Sequence, residues 1–226
     1  MDRSTINEII AESDAFIRSH GVHLPPFAYF SPQELKAHVL DAPSIRDRFL
    51  GWDITDYGQG KFDELGLFLF TTRNGLQSNI ASGQGMLYAE KVMISGESQI
   101  SPMHRHVTKT EDIINRGGGD LVLELFTDGG EGIDESLPVE VQSDGRVVRL
   151  KGGELLRLKP GESVTLEPHV WHAFWGEGGK VLIVEVSNVN DDRTDNIFRD
   201  PIGRFSTVNE NTEPTHLLVS DYNDWL

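Results

Sequence analysis

The sequence predicts a mainly β protein, an antiparallel sandwich or barrel that carries a helical extension at its N-terminus. From about residue 65 onward, short apolar runs are separated by glycine, proline and aspartate, and no helical pattern lies between them. Before residue 50, apolar residues recur instead at helical spacing. We therefore expect one structural unit, in which helices of residues 1–50 cover one end or face of a barrel formed by residues 51–226.

The first helix is expected close to the N-terminus. Thr5 and Glu8 stand three residues apart, as in a capping box, and mark its expected start. Gly21 is expected to end it, because glycine readily adopts the left-handed conformation that closes helices. The apolar residues that share one helix face are Ile6, Ile9, Ile10, Phe16 and Ile17.

A second helix is expected over residues 33–40. Ser31 provides an N-cap, Pro32 takes the first helical position, and Glu34 lies three residues after the cap. Each of these three features favours the start of a helix, and together they form a strong signal.

The remainder of the chain has the pattern of short strands. Two dipeptides of the kind that closes hairpins, Asn74 with Gly75 and Asp144 with Gly145, lie beside such strands. The main expected strands cover residues 66–72, 88–94, 113–114, 121–126, 139–141, 147–150, 155–158, 164–166 and 181–186.

The composition excludes several classes of function. The chain of 226 residues has 20 basic and 36 acidic side chains, a formal net charge of -16, which argues against nucleic-acid partners and anionic membrane surfaces. It has no cysteine, so disulfides, thiolate nucleophiles and cysteine-based metal sites are excluded. No apolar stretch is long enough to span a membrane, and no signal peptide is visible. We expect a cytoplasmic protein.

Metal-ligand residues are concentrated in two segments. His104 and His106 are two apart, so on a strand both imidazoles project from one face. Glu111 lies five residues after His106, so on the same straight strand its side chain would point to the opposite face. It can join the two histidines only if the chain turns between them and Glu111 starts the returning strand. The second segment adds His169 and His172 after a proline turn, among aromatic residues. Three imidazoles and one carboxylate suit a divalent ion such as manganese, iron, nickel or zinc, with positions left for substrate oxygens.

These residues also resemble a known family of barrels. The spacing from His104 through His106 and Glu111 to Gly118 is similar to the first cupin motif, and Pro168 followed by His172 is similar to the core of the second. The resemblance implies a jelly-roll barrel that holds a metal inside. It also implies the ligand set, which is His104, His106, Glu111 and His172, with His169 as the rival to His172.

A closer resemblance covers most of the chain. Residues 51–58, 69–75, 111–119, 185–192 and 194–196 are similar to the D-lyxose isomerase family of cupin aldose–ketose isomerases. This resemblance implies interconversion of D-lyxose and D-xylulose, with D-mannose and D-fructose as related substrates. It also implies a homodimer and a divalent metal, most often Mn2+, with zinc, cobalt, iron and nickel as alternatives.

The isomerase chemistry indicates two catalytic candidates. Moving a carbonyl between C1 and C2 needs a Lewis acid on the sugar oxygens and a base that carries the proton between carbons. Lys109 can donate a proton to an oxygen, or it is a solvated loop lysine. Glu185 interrupts an apolar strand, so it either faces the barrel interior with a raised pKa suited to a base, or pairs with a buried cation. Asp192 and Glu213 are the alternatives to Glu185 as base.

The candidate sugar contacts are Asp192 and Asn196, which belong to a polar loop over residues 191–196. Trp175 is a candidate stacking surface for the sugar, although the aromatic residues around it equally fit a barrel core. Two other functions share the same ligand set: an iron oxygenase, and a sugar-sensing cupin without catalysis. The long similar segments favour the isomerase over the oxygenase, and the complete ligand set favours an enzyme over the sensor.

Overall fold

A computed structural model of the chain describes residues 1–192 and 194–226. These residues include four α-helices: α1 (Arg3–Ser19), α2 (Pro32–His38), α3 (Ser44–Asp47) and α4 (Tyr222–Trp225). Twelve strands lie among the described residues: β1 (Gly51–Thr55), β2 (Leu67–Arg73), β3 (Tyr88–Ser95), β4 (Ser101–His106), β5 (Glu111–Asp128), β6 (Ile133–Asp134), β7 (Val139–Ser143), β8 (Arg146–Leu150), β9 (Leu155–Leu158), β10 (Ser163–Leu166), β11 (Val170–Asn188) and β12 (Asn196–Phe198). In the described ranges, no helix is long and apolar enough to cross a membrane.

The strands form one antiparallel sheet that confirms the mainly β prediction. Neighbours along its main path run β1-β2-β3-β11-β5-β10-β7-β8. The long strand β11 pairs with three others: β3 and β5 along its second half, and β4 and β5 along its first. Strand β4 pairs on its other side with the short strand β12. Because β11 contacts all of these, it determines where β4 and β5 lie relative to each other.

Strand β2 shows how the two faces of the sheet are used. Leu67 and Leu69 face the barrel interior, whereas Phe68 and Phe70 point outward and contact the core beneath α1. Helix α1 covers that outer face with Ile6, Ile10 and Ile17, all at most 3% exposed. Burial of such side chains contributes about 1.5–3 kcal/mol each. The helix and the barrel are therefore joined by an apolar layer; the division of the chain at residue 50 stays a prediction.

The two expected helix starts have opposite outcomes. Helix α1 begins at Arg3, and its N-cap, Asp2, makes no side-chain cap bond. The capping box at Thr5 was therefore wrong, because Thr5 lies inside the first turn. At α2 the box is present, with Ser31 accepting from the Glu34 amide and donating its own amide to that carboxylate.

The two expected hairpins also differ. Asp144 and Gly145 join β7 and β8 with φ angles of 49° and 77°, as a two-residue hairpin turn requires. Strands β2 and β3 pair too, but residues 74–87 separate them, so the tight turn at Asn74 was wrong. Gly75 serves close packing instead, since a Cβ there would lie 2.2 Å from the Met86 carbonyl oxygen.

Some strands were longer than expected, and others were missed. Residues 113–114 and 121–126 belong to one strand, β5, which continues through Gly118 at a positive φ of 94°. A Cβ at Gly118 would lie 2.0 Å from the Lys180 carbonyl oxygen of β11, so glycine here allows the two long strands to meet. The glycine at position 118 therefore marks a close approach of two backbones within one continuous strand, and not a break between two strands. Strands β1 and β12 were not among the expected strands.

The first and last segments are joined by a buried arginine. Arg3 donates to both oxygens of Asp221, at 2.9 and 3.0 Å, and to both oxygens of Glu210, at 2.6 and 2.9 Å. The Arg3 side chain is 0% exposed and Asp221 is 9% exposed. This pair therefore holds α1 against the C-terminal segment, in an environment where an unpaired charge would be costly.

We predict that Arg3→Met lowers the free energy of unfolding by about 3 kcal/mol, because it leaves Asp221 buried without its partner. Arg18→Met is the matched control, since Arg18 pairs with Asp14 on the exposed surface and is expected to cost less than about 1 kcal/mol. Urea unfolding of both variants measures the difference. Equal losses would show that the Arg3 pair does not hold the termini together.

Candidate metal centre and sugar-binding cavity

Three strands bring the expected metal-ligand residues together. His104 and His106 project from the same face of β4, and His172 on β11 lies directly opposite His104 in the strand pairing. One nitrogen of each of the three imidazoles lies within 4.8 Å of one from each of the others. Glu111 starts β5, as the sequence predicts, although β5 pairs with β11 rather than returning beside β4.

The imidazoles are oriented by the backbone. His104 Nδ1 lies 2.8 Å from the Pro102 carbonyl oxygen, and His172 Nδ1 lies 3.0 Å from that of Val170. If each Nδ1 donates to its carbonyl, each Nε2 keeps a lone pair for a metal. Nε2 of His172 and both ring nitrogens of His106 are buried without a hydrogen-bond partner among the described residues. Buried polar atoms normally have partners, so these nitrogens fit a site for a cation.

The carboxylate of Glu111 lies between the imidazoles and a lysine. Its Oε1 is 3.3 Å from His106 Nε2 and 3.2 Å from His172 Nε2, without hydrogen-bond geometry. Its Oε2 is 2.6 Å from the Lys109 ammonium. Oε1 is therefore placed among the imidazole nitrogens as a fourth donor, and Oε2 is held by Lys109.

The protonation states suit cation binding. Burial lowers the pKa of His104 well below its ordinary value, and burial together with Lys109 lowers the pKa of His106. Burial alone would raise the pKa of Glu111, but Lys109 and His106 outweigh it and hold that pKa well below the usual range. Two neutral imidazoles and an ionised carboxylate are the forms that ligate a metal.

His169 lies away from this group. It has a positive φ of 70°, and its side chain is 54% exposed. Its Nδ1 contacts Arg105 at 3.1 Å, on the face of β4 opposite to the metal-ligand residues. The structure therefore places His172, and not His169, beside His104 and His106.

The two catalytic candidates meet in the barrel interior. Glu185 Oε1 lies 3.1 Å from the Lys109 ammonium and 3.3 Å from that of Lys91. Both side chains are about 5% exposed or less, so Lys109 is not a solvated loop lysine. The sequence left two alternatives for Glu185, a side chain that faces the barrel interior or one that pairs with a buried cation. In the structure Glu185 faces the interior and also pairs with two buried lysines. Burial alone would lower the pKa of Lys109, but Glu111, Glu185 and Asp192 raise it above its ordinary value.

Asp192 and Asn196 lie at one edge of the same cavity. Asn196 pairs with His106 across β12 and β4, and its amide is 3.4 Å from an Asp192 oxygen. Arg204 bridges Asp192 and Asp53, at 3.2 and 2.8 Å. Burial would raise the pKa of Asp192, but Arg204, Lys91 and Lys109 lower it far more, so this carboxylate is a poor proton acceptor.

Two other candidates lie outside the cavity, and these predictions require correction. Trp175 does not line it; Phe174, the preceding residue of β11, does. Successive strand side chains point to opposite faces, so inward-facing His172 and Phe174 place Trp175 on the outer face. Glu213 is exposed, and its carbonyl accepts from Asn7 of α1. It is therefore not a base for chemistry inside the barrel.

Sequence reasoning missed three polar residues of the site. Lys91 interrupts an apolar strand just as Glu185 does, and that pattern could have identified it. Arg204 lies in an irregular segment, and no local pattern distinguishes it from a surface arginine. Asp195 accepts from the amides of Val107 and Thr108 at 3.2 and 2.8 Å, and so fixes the turn between β4 and β5.

Comparison with known proteins identifies the family. The family model described as D-lyxose isomerase matches residues 1–222. The chain belongs to the D-lyxose isomerase family. The D-lyxose/D-mannose isomerase of Serratia proteamaculans is 45% identical over 228 residues, and that of Escherichia coli O157:H7 is 43% identical over 231 residues. Each alignment covers 98% of this chain and 98% of the relative. The family model and the names of these two relatives support the conclusion that this chain is an aldose–ketose isomerase.

Solved structures support the same fold. The L-ribose isomerase of Cellulomonas parahominis, in a structure with L-psicose, aligns with a TM-score of 0.61 at 17% identity. That of Geodermatophilus obscurus aligns with a TM-score of 0.61 at 18% identity. Both alignments cover 92% of this chain and 98% of the other chain, so the cupin-type fold extends over almost the whole protein.

The position of His172 generates a metal-content prediction. We expect the His172→Ala variant to lose its metal on dialysis. Its affinity for the metal should fall by more than the roughly 10–100-fold that is typical when a residue hydrogen-bonded to a ligand is changed. His169→Ala is the matched control and is expected to retain most of its metal. Mass spectrometry of the dialysed variants measures both. The reverse ranking would mean that His169 is the ligand.

Proposed function

We propose that this protein interconverts D-lyxose and D-xylulose, and D-mannose and D-fructose, with a divalent ion, preferably Mn2+. The observation that carries the proposal is the group of three buried imidazoles, with one oxygen of Glu111 beside His106 and His172 and its other oxygen ion-paired with Lys109. Membership of the D-lyxose isomerase family and the names of the relatives from Serratia and Escherichia support the choice of sugars.

The residues that would hold the ion are His104, His106, Glu111 and His172. Their three imidazoles and single carboxylate suit manganese, and also iron, cobalt, nickel or zinc. When bound, such an ion acts as a Lewis acid that polarises the sugar carbonyl and stabilises the negative charge that develops on oxygen. The remaining steps are proton transfers, which this chain's own side chains can perform.

Lys109 is proposed to donate a hydrogen bond to a sugar oxygen while it stays protonated. Its ammonium is held by Glu111 at 2.6 Å and by Glu185 at 3.1 Å, and its raised pKa keeps it charged. A charged, fixed ammonium beside the cavity stabilises an oxygen that becomes anionic during the reaction. Lys109 therefore acts on the oxygens of C1 and C2, rather than on the carbon-bound proton.

Glu185 is the carboxylate proposed to move the proton between C2 and C1. Glu111 is committed to the ion and to Lys109, and the lowered pKa of Asp192 makes that carboxylate a poor acceptor. Glu185 lines the same cavity, and Ser187 donates to its Oε1 at 3.1 Å. Its two lysine partners and this hydroxyl fix its position, as a base that serves two adjacent carbons requires.

Sugar hydroxyls have partners along the cavity edge. Within the part of the chain that the structure describes, Arg204 Nη1 is buried without a hydrogen-bond partner, so it can donate to a substrate oxygen. Asn196 and Asp192 lie beside it and provide further hydrogen-bonding groups. We also propose that the enzyme is cytoplasmic and forms a homodimer. The family resemblance implies the homodimer, which sedimentation of the purified protein can test.

We predict that the purified protein with Mn2+ converts D-lyxose to D-xylulose without consuming oxygen or a nicotinamide cofactor. The assay uses metal-stripped protein, a panel of pentoses and hexoses, and each divalent ion added back in turn. Activity should require the ion, because neither lysine replaces a Lewis acid. Oxygen uptake with a small substrate, and no conversion of any aldose, would establish the oxygenase instead.

We predict that Glu185→Gln keeps the fold and the metal but lowers kcat by about 10²-fold or more, the usual size of a general-base contribution. Exchange of solvent deuterium into the sugar should fall in step with kcat. Glu213→Gln is the control, because that side chain is exposed outside the barrel. Near-normal turnover of Glu185→Gln would exclude Glu185 as the base.

A further inference from the structure

The catalytic cavity is too small to contain a whole monosaccharide. The space between the metal-ligand residues, Lys109 and Glu185 is about 40 Å³, room for only a few water molecules. An ion and the two reacting carbons already need this volume. The part of the sugar farthest from those carbons must therefore extend into another space.

A second cavity of about 310 Å³ lies directly beside the first. Asp192 lines both cavities, so its side chain forms part of their boundary. Asn190 lines the larger cavity, and its side-chain oxygen accepts a hydrogen bond of 2.7 Å from the Lys91 ammonium. Lys91 itself lines the smaller cavity. Asp53 lines the larger cavity and accepts from Arg204 in the same way, at 2.8 Å. The boundary is a single layer of polar side chains.

The boundary is most accessible at Asp192. Its side chain is 19% exposed, whereas the other charged side chains of the boundary, Arg204, Lys91 and Asp53, are 11%, 4% and 2% exposed. A sugar that extends from one cavity into the other passes this carboxylate, which accepts hydrogen bonds from its hydroxyls. The volume of the larger cavity is within the range of about 300–1,000 Å³ typical of small-molecule sites.

Two phenylalanines line the larger cavity. Phe49 and Phe205 are 36% and 37% exposed, and the Arg204 guanidinium lies 4.9 Å from the centre of the Phe205 ring. Phe49 also has a positive φ of 54°, at the position after the C-cap of α3. Glycine is the residue favoured at such a position, so the backbone gives no reason for a phenylalanine. An aromatic ring in a cavity with carboxylates and amides instead fits the mixed polar and apolar surface of a sugar.

The two proposed aldoses differ only at the end that would reach this cavity. D-lyxose and D-mannose have the same configuration at C2, C3 and C4, and D-mannose has one additional hydroxymethyl group at C5. We propose that the larger cavity is the subsite for the end of the sugar farthest from C1, and that Phe49 and Phe205 determine the preference between hexose and pentose. This inference rests on the proposed isomerase function and adds the residues that select chain length.

The test compares Phe49→Gly and Phe205→Ala with the wild-type holoenzyme. In each variant, kcat/KM for D-mannose should fall about 10-fold, which is the size expected for losing contacts to a single small group. The value of kcat/KM for D-lyxose should fall less than about 3-fold. The melting temperature of Phe49→Gly should stay the same or rise, because glycine relieves the positive φ. Ser98→Gly is the matched control: it changes an exposed residue with a φ of 58° far from the cavity and should leave both sugars unaffected.

A binding measurement separates the two proposals. D-mannitol and D-arabinitol are the unreactive reduced forms of D-mannose and D-lyxose, and their affinities can be measured by calorimetry. Wild type should bind D-mannitol more tightly, and Phe49→Gly should remove the difference. If wild type converts both sugars and neither phenylalanine variant changes their ratio, the subsite is wrong and the isomerase stands. If wild type converts neither sugar, the proposed isomerase function is wrong. If wild type also binds the two polyols with equal affinity, the proposed subsite is wrong as well.

Discussion

The pairing of buried charges inside the barrel constrains the rest of the structure. Lys109 lies between Glu111 and Glu185, and Lys91 lies between Glu185 and Asp192. A buried charge without a partner costs several kcal/mol, so each of these side chains must face the interior together with its neighbours. A shift of one residue in strand register would turn a side chain to the other face. The ion pairs therefore favour one register of β3, β5 and β11, and the same strand β11 pairs with β4 so that His172 lies opposite His104.

The outer face of the sheet supports this interior. Phe68 and Phe70 alternate with the inward leucines of β2 and contact the apolar face of α1. Arg3 then ties the start of that helix to Asp221 near the other end of the chain. The charged interior is thus enclosed by apolar packing that does not depend on it. This division lets the cavity hold unpaired nitrogens and paired charges, whose energetic cost the packing outside offsets.

Local patterns in the sequence were sufficient for some features and not for others. The capping box at Ser31, the hairpin at Asp144 and the pair of histidines on β4 each depend on neighbours within a few residues, and each was predicted. Arg204 and the larger cavity depend on segments more than a hundred residues apart, so no local pattern indicates them. The turn expected at Asn74 failed for the same reason, because Asn74 bonds to Asn190 on another segment. Trp175 failed because aromatic composition does not specify which face of a strand is inside.

The two oxygens of Glu111 connect the metal site to the proton chemistry. Oε1 faces two imidazole nitrogens, and Oε2 accepts from Lys109. Lys109 in turn reaches Glu185, so the expected ligand, the charged lysine and the proposed base form one chain of contacts. Catalytic groups must hold their geometry to within about 0.5 Å, which separate flexible side chains achieve poorly. Because one carboxylate fixes Lys109 relative to the imidazoles, and Lys109 fixes Glu185, a bound ion and the proposed base would keep a constant separation during the proposed proton transfer.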